Sequence, residues 1–113
     1  FKAYKISKRF DDDISSVCAA FNLEIVKNKV KSIRIAYGGM AAVPKRAISC
    51  EKVFLNSFFT EDILSKGKEA LKKDFKPISD MRASGLYRME VAKNLLEKCF
   101  VEIKENKSIG VYG

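Results

Sequence analysis

Five charged residues crowd into the six positions from Lys8 to Asp13, within the run Ser7-Lys8-Arg9-Phe10-Asp11-Asp12-Asp13-Ile14-Ser15. Two cations meet a single aromatic and then three adjacent carboxylates. Like charges side by side repel, so packing gives no reason to gather them. Three chemistries suit such a run. Its acids can cap the free N–H groups of a turn or a helix start. They can coordinate magnesium, although that ion needs more oxygen ligands than one run can aim at one point. Or the run can be a loop aimed at a ligand or partner. On residue types alone, the solvated cap is the default.

Other chemistries are excluded or weak. The chain has no histidine, so a Ser-His-Asp or Cys-His catalytic site cannot be built, and the commonest transition-metal ligand is missing. Cys18, Cys50 and Cys99 are widely spaced, odd in number and without a CxxC pair. That argues against a disulfide framework or a zinc finger. Each sits among apolar residues and reads as a buried free thiol, a state that fits the cytoplasm. Gly38-Gly39 lacks the surrounding G-x-G-x-x-G of a phosphate loop and reads as a turn needing positive φ. Arg82 and Arg88 read as partners for Asp80 or Glu90 near a helix start, and Tyr87 as core.

The net charge is +8, from 22 bases and 14 acids. Its distribution speaks against nucleic acid. The dense basic runs, Lys27 to Lys31 and Lys66 to Lys76, are short and lack interleaved aromatics that would stack bases. A solvated surface, or a basic face toward an acidic partner domain, is the plainer reading. Uncharged stretches such as Ile35 to Pro44 fall far short of the roughly 20 residues that span a bilayer. The 113 residues suffice for one core. The chain opens at Phe1 in mid-pattern, as a piece of a longer protein would.

The elements that must position the charged run follow from periodicity. Val17, Ala19, Phe21, Leu23 and Ile25 alternate, as a half-buried strand does. Lys27-Asn28-Lys29 supplies a turn, after which Ile33, Ile35 and Tyr37 alternate again. The pair predicts a long antiparallel hairpin. Ala47 to Leu55 predicts a short helix. Thr60, followed by Glu61 and Asp62, predicts the N-cap of a helix that runs to about Phe75, ahead of Pro77. A start signal at Ser79-Asp80 and the spacing of Tyr87, Val91, Leu95, Leu96, Cys99, Phe100 and Ile103 predict a last helix over 84–103, about 30 Å long. Residues 105–113 read as a flexible tail beyond a domain of residues 1–104. Strands followed by helices predict an α+β fold, an antiparallel sheet (long hairpin plus short strands) layered against about three helices as an α+β sandwich.

Three stretches carry a family resemblance. They are Tyr4-Lys5-Ile6-Ser7-Lys8-Arg9-Phe10-Asp11-Asp12-Asp13-Ile14-Ser15, the run from Gly38 to Ala47 (GGMAAVPKRA), and the run from Ser79 to Leu96 (SDMRASGLYRMEVAKNLL). Their order and spacing resemble the C-terminal segment of the FAD-binding part of xanthine dehydrogenases, with the bacterial small subunit as the nearest likeness. The same domain type closes the flavoprotein subunit of carbon monoxide dehydrogenases.

The resemblance implies an oxidoreductase whose parent chain carries a two-iron two-sulfur domain and an FAD domain beside a molybdopterin subunit. Electrons would leave a purine hydroxylated at molybdenum, pass the iron–sulfur centres to FAD, and reduce NAD. This piece would be the cap after the main FAD-binding fold. It would bind no cofactor tightly and catalyse nothing alone. By resemblance, residues 4–13 form a loop beside the isoalloxazine, in which Lys5 reaches toward the flavin and Arg9 and Asp12 lie close to the ring. Phe10 departs from mammalian relatives, which carry a base there. Expected partners are the upstream FAD-binding domain, the molybdopterin subunit and NAD, with no nucleic acid and no membrane. The alternative is a small basic binding module for RNA or an acidic protein.

Overall fold

A computed structural model describes residues 3–12, 17–40, 43–75 and 83–106. Four strands, β1 (Ala3–Asp11), β2 (Cys18–Val26), β3 (Lys29–Gly38) and β4 (Lys45–Arg46), form one antiparallel sheet in sequential order. Three helices follow, α1 (Ile48–Phe54), α2 (Glu61–Asp74) and α3 (Ala83–Asn106). The α+β sandwich expected from the sequence is the fold observed.

The β2–β3 hairpin turns through Lys27 and Asn28, both left-handed at φ 53° and 67°. Two successive positive φ values match the twist of the flanking strands. Past the turn, Glu24 pairs with Ser32 but Ile25 with Val30, which leaves Lys31 as an extra residue in β3. That bulge changes the parity of the strand. It lets Val30 face inward together with Ile35 and Tyr37, all of them buried.

Residues 3–11 are a strand, where the resemblance implied a loop over residues 4–13. β1 pairs with β2 without interruption, from Ala3↔Val26 to Asp11↔Cys18. Its inward face is Ile6, Lys8 and Phe10, and the charge on Lys8 hides the alternation. Lys8 Nζ sits 3.4 Å from Glu102 of α3. Phe10 is buried beside Phe21, under the ammonium of Lys98.

The helices cover one face of the sheet. α3 packs on β1 and β2, α1 packs on β3, and α2 packs on α1 and α3. Edge-to-face rings run across the strands, Phe10 to Phe21 (6.0 Å), Phe21 to Tyr37 (6.2 Å) and Tyr37 to Phe75 (5.5 Å). Tyr37 also donates its hydroxyl to Ala92 O of α3 at 2.7 Å. Thr60 caps α2 as predicted, accepting from Ile63 N–H. Cys50 and Cys99 are buried, whereas Cys18 is half-exposed. Among the described residues, no helix is long and apolar enough to cross a membrane.

Other expectations need correcting. Tyr87 is not core but 47% exposed. The first buried side chain described on α3 is Val91, so the helix meets the sheet one turn later than its spacing suggests. Arg88 points its Nη1 at Gly39 O, 3.4 Å away, while Glu90 faces Lys93. Gly39 has the positive φ expected of the turn, at 85°. The helix α3 includes Glu105 and Asn106. Asp13, Pro77, the start signal at Ser79-Asp80, Arg82 and residues 107–113 lie outside the described residues.

Candidate functional site on the outer face of the sheet

Strand parity assigns Lys5, Ser7, Arg9 and Asp11 to the face away from the helices, and all four are exposed. Pairing places them in rows across the sheet. Lys5 lies opposite Glu24, which lies opposite Ser32. Ser7 lies opposite Asn22, then Arg34. Arg9 lies opposite Ala20, then Ala36, then Arg46 of β4. The first two rows line a shallow concavity of about 560 Å³, with Lys5, Ser7, Asn22, Glu24, Arg34 and Arg46 in its wall.

The wall is cationic and rich in donors. Arg46 is held rigidly. It gives Nε (3.1 Å) and Nη2 (2.6 Å) to the two carboxylate oxygens of buried Glu51. Glu51 Oε2 also accepts the Ile35 N–H at 2.8 Å. This carboxylate, hydrogen-bonded to the guanidinium, pushes the Arg46 pKa up. Lys5 and Arg34 enter no ion pair among the described residues. Glu24 is the single acid in the wall. The face carries no aromatic among its described residues and so offers no platform for stacking bases.

The three residues expected beside a flavin are distributed along one edge, not gathered. Lys5 and Arg9 share the outer face. At about 3.3 Å per residue their Cα atoms stand about 13 Å apart. The Arg9 Nε approaches Asp11 Oδ1 at 3.5 Å, so its charge is partly countered at the surface. Asp12 follows the strand, half-buried, and its N–H donates to Val17 O at 2.8 Å. Asn22, Glu24, Arg34 and Arg46 were missed by residue reading. Their signal was the polar half of each alternating strand, interpretable only once the register is known. No group of three or more Cys, Asp or Glu residues that could hold a metal occurs among the described residues.

Similar proteins share this architecture. A glyceraldehyde dehydrogenase medium chain of Sulfolobus acidocaldarius is 31% identical over 100 residues, 88% of this chain and 36% of its own length. A xanthine dehydrogenase of Emericella nidulans is 38% identical over 76 residues, 66% of this chain and 6% of its own. This chain thus spans about a third or less of the relatives it matches. Quinoline 2-oxidoreductase from Pseudomonas putida 86 superposes with a TM-score of 0.71 at 18% identity, over 87% of this chain and 36% of that one. Carbon monoxide dehydrogenase from Oligotropha carboxidovorans gives 0.67 at 22% identity, over 85% and 35%. The family model for the CO dehydrogenase flavoprotein C-terminal domain matches residues 2–103. The chain therefore belongs to the CO dehydrogenase flavoprotein C-terminal domain family.

Proposed function

We propose that this domain closes the FAD-binding part of a xanthine dehydrogenase-type molybdenum hydroxylase. In it, electrons from a purine hydroxylated at molybdenum pass through iron–sulfur centres to FAD and on to NAD. The observation that carries the reading is the β1 edge. A family member presents Lys5 and Arg9 outward on a paired strand, beside a donor-lined concavity. The 38% identity of a segment to a xanthine dehydrogenase supports the purine assignment.

The residues present fit an anionic cofactor edge. Bound FAD supplies a two-electron acceptor whose reduced form carries negative charge. Lys5 offers an ammonium, free of ion pairs among the described residues, to that charge. Arg9 offers a guanidinium already shared with Asp11, and so a weaker field. Asp12 is held at its backbone by Val17, and its carboxylate opposes accumulation of negative charge nearby. Pairing with β2 holds the row rigid, so these charges act without reorganisation.

The test is the visible spectrum of the full parent chain, purified with its molybdenum subunit, as xanthine is added. Flavin and iron–sulfur bands should bleach and recover with NAD⁺. A colourless protein overturns the flavoenzyme reading. Bleaching by glyceraldehyde but by no purine overturns the purine assignment.

A further inference from the structure

We draw no further inference here: the strongest candidate, the donor-lined concavity on the outer face of the sheet, whose wall includes Arg46 braced by buried Glu51, belongs to the site already described, and nothing in the structure shows what covers that face.

Discussion

Asp74, the last residue of α2, caps the first turn of α1 by accepting the Cys50 N–H at 2.9 Å. Its second oxygen accepts the Ser49 N–H at 2.8 Å. The residue at the N-cap position of α1, Ala47, has no side chain that can do this. Helix starts leave N–H donors without partners, and here a neighbouring helix supplies the acceptor. Asp74 is 7% exposed, so losing the carboxylate strands buried donors. Asp74→Ala should destabilise by about 2–4 kcal/mol, two unsatisfied groups at about 1–3 kcal/mol each with partial relaxation. Asp74→Asn should cost less because one oxygen remains. Urea denaturation of the parent chain, followed by α-helical circular dichroism, measures both.

Gly67 packs under the buried ring of Phe54. A Cβ at position 67 would come 2.5 Å from Phe54 Cε2 and 2.8 Å from Cζ. Ala is the better helix former by about 1 kcal/mol. The clash should reverse that advantage, leaving Gly67→Ala less stable by about 1–2 kcal/mol. Phe54→Leu should cost stability alone yet cost less in the presence of Gly67→Ala. A double-mutant cycle in Tm with no coupling would refute the contact.

Burial pushes the Cys99 thiol up to about 12, and Cys50 higher still, where Asp74 and Glu51 reinforce the effect. Burial likewise raises the Tyr37 hydroxyl. The unfolded chain releases its thiol protons near pH 9, while the folded chain keeps them. Stability is therefore full below about pH 9 and falls as pH rises from there toward 12, by up to about 1.4 kcal/mol per unit for each thiol. Denaturation midpoints at rising pH should show this slope, and Cys99→Ala should flatten it. In the folded protein, half-exposed Cys18 should alkylate first.

Lys5 and Arg9 should differ in their influence on a bound flavin. Lys5→Glu should lower the flavin midpoint potential of the parent enzyme, and Arg9→Glu should lower it less, since Asp11 already counters Arg9 at 3.5 Å. Asp11→Asn should raise it. Exposure limits each effect to about 1 kcal/mol, well under the roughly 4 kcal/mol of a close charge pair. Spectroelectrochemical titration gives the order, and equal values for all three variants would remove β1 from the flavin's surroundings.

Much of this architecture was legible in residue order. The alternation from Val17 to Ile25 and the cap at Thr60 are local signals, and both appear in the structure where they were expected. β1 was not legible because Lys8 occupies an inward position and reads as polar until Glu102 is seen opposite it. The cap on α1 was not legible because its acceptor lies in another helix. Tyr87 misled because helical spacing fixes a face but not where along its length the helix begins to touch the sheet. The concavity escaped for a related reason. Glu24, Asn22 and Arg34 are ordinary strand polars until pairing sets them beside Lys5 and Ser7.

The ring ladder from Phe10 through Phe21 and Tyr37 to Phe75 bears on how the edge strand moves. Peeling β1 from β2 would expose Phe10, uncouple the first ring from the second and break the Lys8–Glu102 pair. Local opening of β1 therefore costs that ring contact and that ion pair as well as its hydrogen bonds to β2. The hydrogen-bonded amides of β1 should exchange more slowly than those of an edge strand without such anchors. Such an edge holds the outward charges of Lys5 and Arg9 at fixed positions.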